Sequence, residues 1–410
     1  MTDDRSKALV PQDVASRSPI SRLAERTLAE RVQRALVVAR TLVVGPGGYA
    51  TISLAVEAAR EGDTILVRPG RYLESVVVEG KTITIRGDGE RDAIVVGWDK
   101  GLAFAMIESR STLSGITLVG GNPDPESEGA ALRVTGGAPL LDGLRVMRGR
   151  GIVFEGGAAG KIEHSQIDGN DCGIFVGEGA SPRIEENEIW ANTLCGIEIA
   201  DTGTHPLVRA NRIHDGHAPG ICVHGGASPQ IEKNNVWGND GPGIQIGEAA
   251  TDPLVTANPN HDDHGPSIGF HDRGEARIEE NEIWANAYAG IQIGGAETES
   301  LVKANLIHDG KTVGILVCNG ASPRIEENEV CSNTAAEIDV YGAGTDPLVR
   351  ANRLHDGEGS GVVIYDGASP RIEENEVWGN AHPGIEIGGP GTNPLVRDNR
   401  VHDGGVLASG

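Results

Sequence analysis

Aromatic side chains are scarce, at 3% of the 410 residues, while glycine is abundant at 59. That balance argues against a conventional globule and for a chain built from many turns. Five cysteines (Cys172, Cys195, Cys222, Cys318, Cys331) are odd in number and lack the paired spacing of metal ligands, so reduced thiols in a cytoplasmic protein are the plain expectation. No apolar run approaches the length that spans a bilayer. The opening MTDDRSKALVPQDVASRSP has no apolar core of the kind a secretory signal carries. Basic residues are outnumbered 35 to 59, a net charge of −24. This disfavours nucleic acid and anionic membranes as partners.

What the chain does have is repetition. Ser181-Pro-Arg-Ile-Glu-Glu-Asn-Glu-Ile-Trp-Ala-Asn192 recurs from Ser228, Glu275, Ser322 and Ser369, each start 47 residues after the last. A second phrase, HPLVRANRIHDG from His205, recurs from Asp252, Glu299, Asp346 and Asn393 at the same interval. Aligning the two on Pro182, Pro206 and Pro229 reduces the unit to a half-repeat of alternately 24 and 23 residues. Such regularity marks a solenoid, because each unit buries its apolar face only by stacking on its neighbours.

Stacked half-repeats form columns. One is apolar (Ile184, Val208, Ile231, Val255, Ile278) and a second comes from Gly-Ile-x-Ile, as in Gly196–Ile199. Alternation over four or five positions is the period of a half-buried strand. With no helical period and with Gly and Pro punctuation, one unit reads as one turn of a parallel β-helix, its rungs roughly 4.8 Å apart. A third column is Asn187, Asn211, Asn234, Asn258, Asn281 and onward. Asn tolerates left-handed backbone and its amide stacks along an axis, so this column is expected to build a corner. Beside it Glu185, Arg209, Glu232, Glu279, Lys303, Glu326 and Arg350 mostly alternate in sign, a register device between rungs.

The phrases Leu207–Gly216 and Ile278–Trp284 resemble the right-handed parallel β-helix, pectin-lyase-like repeat family, sometimes grouped as carbohydrate-binding and sugar-hydrolase domains and closest in flavour to the repeats of F-box-only proteins. The likeness spans roughly 42–404. It implies an all-β right-handed parallel β-helix of about 15 rungs of 22–24 residues. The segment Tyr49–Tyr72 resembles the opening of such domains, where a short helix precedes the first complete rungs. The F-box itself is not evident, so no ubiquitin-ligase role is carried over. Residues 1–20 are expected as a disordered tail, 21–40 as an N-terminal capping α-helix with Leu23, Leu28, Val32 and Leu36 on one face, and 41–410 as the solenoid. A loop is expected at Gly121–Glu128.

Enzymes of this fold resemble one another in raising long loops over one sheet with clustered Asp and Arg. Here the turns are short and constant from Ser181 onward, and the outward column Glu198, Cys222, Gln245, Gly269, Gln292 offers no carboxylates on adjacent rungs. Two candidate features remain. The column Trp190, His214, Trp237, His261, Trp284, His308, Cys331, His355, Trp378, His402 either binds a polymer or protein through Trp190, Trp237, Trp284, Trp378, His214 and His308, or packs as a surface ladder. The rung that breaks the pattern, Asn258–Gly265 with Gly269–Arg273, gathers His261, Asp263, His264, His271 and Asp272. These are metal-type ligands, although a drifted repeat explains them more simply. The first expectation is therefore a cytoplasmic, non-enzymatic scaffold that binds a protein or polysaccharide along its side, needs no cofactor or metal, and forms a homodimer through its C-terminal end. The alternatives are a polysaccharide lyase or hydrolase of the same fold, and a structural filament or spike.

Overall fold

A computed structural model describes residues 39–97, 101–121, 129–271, 273–296, 298–402 and 404–408. The expected tail, the capping helix before residue 39 and the loop at 122–128 lie outside the described residues. The chain divides at Arg40, and Thr41–Gly410 forms the solenoid.

Three parallel sheets form the walls. Sheet 1 has 16 strands, from Thr41–Val44 to Leu395–Arg397. Sheet 2 has 15, from Gly70–Leu73 to Arg400–Val401, and sheet 3 has 15, from Val76–Glu79 to Val406–Ala408. Each turn visits sheets 1, 2 and 3 in that order, giving about fifteen complete rungs. The core is a set of stacked columns. Ile184 pairs with Val208 and Val208 with Ile231 in sheet 1, Ile189 with Ile213 in sheet 2, and Ile197 with Ile221 in sheet 3; all are buried. One short helix, α1 (Ile52–Ala58), packs Ile52, Ala55 and Val56 onto the first rungs. Thr51 accepts from the Leu54 amide at its start, and Glu74 accepts from the Ile52 and Ser53 amides. No described helix is long and apolar enough to cross a membrane.

The corner between sheets 1 and 2 departs from expectation in one detail. The left-handed residue is not the Asn but the residue before it: Glu186, Ala210, Lys233 and Glu280 have φ between 53° and 57°. That turn swings the Asn side chain inward. Each buried Asn then accepts, through Oδ1, from the backbone amide and side-chain amide of the Asn one rung earlier, as Asn211 does from Asn187. Its own Nδ2 donates to a strand carbonyl, Ile184 O in this case. The corner between sheets 2 and 3 carries a second ladder that the repeat columns did not suggest. It runs through Asn170, Asn192, Asn239, Asp263, Asn286, Asn333 and Asn380, with Gly216, Gly310 and Gly357 in the gaps. Buried backbone groups need partners, and these two ladders supply them at both sharp corners.

Candidate functional site

Short strands of pattern out–in–out give sheet 2 two outward columns per rung. One runs Thr117, Arg145, Gln166, Glu188, Arg212; the other runs Val119, Met147, Asp168, Trp190, His214. In the second column the predicted Trp and His residues do meet. Trp190, His214, Trp237, His261, Trp284 and His308 form one continuous stack, with neighbouring centroids 4.2 to 6.2 Å apart and ring planes within 15° of parallel. Cys331 interrupts it, and His355 with Trp378 resumes at 4.2 Å. Each imidazole is oriented by the aspartate that follows it: Nδ1 of His214, His261, His308 and His355 lies 2.7 to 2.9 Å from Asp215, Asp262, Asp309 and Asp356. Arg212 and Arg353 lie over the Trp237 and Trp378 rings.

This geometry limits what the column can do. Stacking a sugar requires an open ring face. The faces of Trp237 and Trp284 are covered by imidazoles, so they present their edges to solvent. Trp190 and Trp378 each stack on one imidazole, His214 and His355, and Trp190 pairs on its other side with Asp168.

Next to Trp190 lies a concave site that the repeat analysis missed. The 3-10 turn Arg91–Ala93 folds across the outward face of sheet 2, where Thr117 donates to Arg91 O and to Asp92. From there Arg91 reaches three rungs along, donating to Leu144 O at 3.3 Å and to Gln166 Oε1 at 2.6 Å. Arg91 becomes one wall of a cleft of about 320 Å³ lined also by His164, Gln166, Glu186, Glu188 and Arg212. On its floor Glu188 joins Arg212 at 3.0 Å and accepts from Gln166 at 3.5 Å. On its rim His164 occupies the left-handed corner position, with φ of 49°. Its Nδ1 lies 3.0 Å from Asp142 and its Nε2 3.2 Å from Glu186. The hydrogen bond to Asp142 raises the His164 pKa above its ordinary value, against the opposing effect of burial. Two signals in the sequence pointed here: His164 stands outside the repeated His-Asp phrase, and Arg91 lies in the irregular early rungs.

Asp142, Glu163 and His164 offer ligand atoms within 4.8 Å of one another, the one such group among the described residues. Of the candidate metal ligands around residue 261, the described ones, His261, Asp263 and His264, engage separate partners. His261 belongs to the ring stack, the Asp263 side chain points into the second ladder, and His264 turns outward to Asp240 at 2.9 Å. The side chain of His271 and all of Asp272 lie outside the described residues.

Comparison with known folds gives a consistent architecture. The solved structure of the catalytic unit of a GH87 alpha-1,3-glucanase from Streptomyces thermodiastaticus is similar over 89% of this chain and 69% of its own, with a TM-score of 0.53 at 13% identity. A GH87 alpha-1,3-glucanase catalytic domain in complex with nigerose covers 88% of this chain and 69% of its own, with a TM-score of 0.54 at 11% identity. The Azotobacter vinelandii mannuronan C-5 epimerase AlgE6 A-module aligns over 86% and 94% of the two chains, with a TM-score of 0.44 at 16% identity. Structural neighbours are thus carbohydrate-active β-helix enzymes, and at these identities the likeness is one of fold. No curated protein sequence matches. The family model described as the right-handed beta helix region matches residues 140–260 and 255–401. With the parallel three-sheet coil on the same residues, the chain belongs to the right-handed β-helix family.

Proposed function

We propose that this protein binds a neutral polysaccharide along the flank of sheet 2, seated in the cleft between Arg91 and Arg212 and running beside the ring stack from Trp190. The observation that carries this reading is the cleft itself. Its size lies at the lower end of the roughly 300–1,000 Å³ typical of ligand sites. Its lining sets donors (Arg91, Arg212, His164) beside acceptors (Glu186, Glu188) on adjacent rungs, which suits a ligand carrying many hydroxyls. The net charge of −24 repels a polyanion, so a neutral glycan fits better than a polyuronate. The covered faces of Trp237 and Trp284 leave indole edges and the oriented His–Asp pairs as the contacts further along the column. A catalytic version has one specific support: His164, held between Asp142 and Glu186 on the cleft rim, is placed to move a proton.

Affinity electrophoresis tests the binding. Migration should be retarded in gels containing a neutral β- or α-glucan and unchanged in gels containing alginate or polygalacturonate. Arg212→Ala and Glu188→Gln should each abolish the retardation. Uniform migration in every neutral glucan would overturn the reading, and reducing-sugar release lost in His164→Ala would establish the catalytic version. Self-association through the half-exposed apolar side chains Leu395, Val406 and Leu407 is a separate proposal. Light scattering that reports a monomer at high concentration would remove it.

A further inference from the structure

The rung 254–270 holds three polar residues at positions that the repeat fills otherwise. Asn260 stands in the buried sheet 2 column next to Val236 and Ile283, Asp263 stands in the second Asn ladder, and Ser267 stands where Gly243 and Gly290 stand in neighbouring rungs. All three are 1% exposed or less. Asp263 Oδ1 accepts from the backbone and side-chain amides of Asn239, at 2.9 and 3.0 Å, and Asn260 Nδ2 donates to Ser267 O at 3.0 Å. Two side-chain oxygens, Asp263 Oδ2 and Asn260 Oδ1, are buried without a partner. Both lie against the same spot: they are 2.5 and 2.4 Å from the point where a Cβ on Gly243 would sit. Two facing acceptor oxygens repel each other, and a buried unsatisfied oxygen is costly. One proton between them resolves both problems.

We propose that Asp263 is a neutral acid in the closed rung, donating its proton to Asn260 Oδ1, and that loss of this proton opens the rung and breaks the ring stack at His261. The groups packed against it are uncharged, although the hydrogen bonds from Asn239 favour the ionised form. Asn239, Asn260, Ser267 and Asn286 face it from its own rung and the two neighbours, and none of them can supply a charge. The nearby charged groups are Asp262, which repels a second negative charge, and His264, which is already bonded to Asp240. Burial, the largest effect, pushes the Asp263 carboxyl up to about 7 against the two hydrogen bonds from Asn239. His261 is two residues away and bonded to Asp262, between Trp237 and Trp284, so displacement of this corner separates the two indoles.

The sign follows from linkage. The closed-state value lies above the ordinary carboxyl value of 3.8, so the rung is tightest below about pH 4 and loosens until about pH 7, above which the loss is complete. Hydrogen exchange of the full chain, corrected for the intrinsic rate, reads the opening directly. Protection of peptides covering 254–270 should fall tenfold or more between pH 5 and pH 8, with a change in tryptophan emission. Rungs near Leu141 should not follow. Asp263→Asn supplies a permanent donor at the same place and restores the residue of the repeat, so it should fold and hold its protection at both pH values. Equal wild-type protection at pH 5 and pH 8 would overturn the proposal. So would a pH-dependent opening of this rung that persists in Asp263→Asn.

Discussion

Replacing Asn281 with alanine tests whether the buried amide ladder holds the coil together. Asn281 is 2% exposed and sits near the middle of the solenoid. Its Oδ1 accepts from the Asn258 amide at 2.9 Å and from Asn258 Nδ2 at 3.0 Å, and its Nδ2 donates to Val255 O at 3.0 Å. Alanine keeps the Asn281 backbone bond to Asn305 but strips the Asn258 amide of its acceptor and Val255 O of a donor. Each buried group left unpaired costs about 1–3 kcal/mol, so the pair amounts to roughly 2–6 kcal/mol before any relaxation. An exposed charge on the same rung, Glu282, lies 3.7 Å from His308 and its removal should cost at most about 1 kcal/mol. Because each rung touches only its neighbours, a central defect should also divide one unfolding transition into two. Urea unfolding followed by circular dichroism gives the first quantity, and peptide-level hydrogen exchange gives the second, with 255–305 losing protection first. A midpoint for Asn281→Ala indistinguishable from that of Glu282→Ala would refute the reasoning, since the ladder would then be geometry without energy.

Glu337 is fully buried, stands where most rungs have glycine, and has its carboxyl pushed up to about 8 by burial despite hydrogen bonds from Asn333. A folded-state value above the unfolded 4.5 means stability is lost as pH rises from about 4.5 to about 8, so Glu337→Gln should raise the urea midpoint at pH 9 and not at pH 4. Cys172 is buried and its thiol is held well above the usual range by that burial, so a thiol reagent at pH 8 should label the partly exposed Cys195 first. An equal rate at Cys172 would count against the described packing. Arg91→Ala should remove glycan retardation while leaving the melting temperature within a few degrees, because Arg91 bonds only at the surface of the coil.

The solenoid was readable because its period is written into the chain. Columns at 23 and 24 residues name the inward Ile and Val of sheet 1 and the amide ladder at the first corner. The details that escaped are ones a column does not encode. Asn187 was expected to take the left-handed angle, yet Glu186 does, because the turn must aim the amide inward and a residue that is itself left-handed would point it elsewhere. The second ladder was hidden by Gly216, Gly310 and Gly357, which break its spelling but keep its backbone donors. The cleft escaped for a different reason. It depends on Arg91 meeting Gln166 across 75 positions, and no local pattern predicts a contact made by folding one turn over a sheet.

The two-rung period of the sequence has a consequence that a one-rung period would lack. Physically every rung is alike, so omitting one complete turn during folding would leave an intact coil with a looped-out segment. The alternating chemistry penalises that error. Skipping the rung of Arg209 and His214 would set Glu185 against Glu232 and Trp190 against Trp237, exchanging an ion pair such as Arg209–Glu232 at 3.3 Å for a like-charge contact. Where the alternation lapses, the check is weakest. Rung 254–270 replaces the charge with Thr256 and carries Asn260, Asp263 and Ser267, while rung 324–341 replaces the ring with Cys331 and carries Glu337 and Asp339, whose carboxyl burial raises to about 6. The same two rungs therefore hold the raised buried acids and the weakest register. Opening on the approach to neutral pH should begin in them, and spread outward in both directions along the coil.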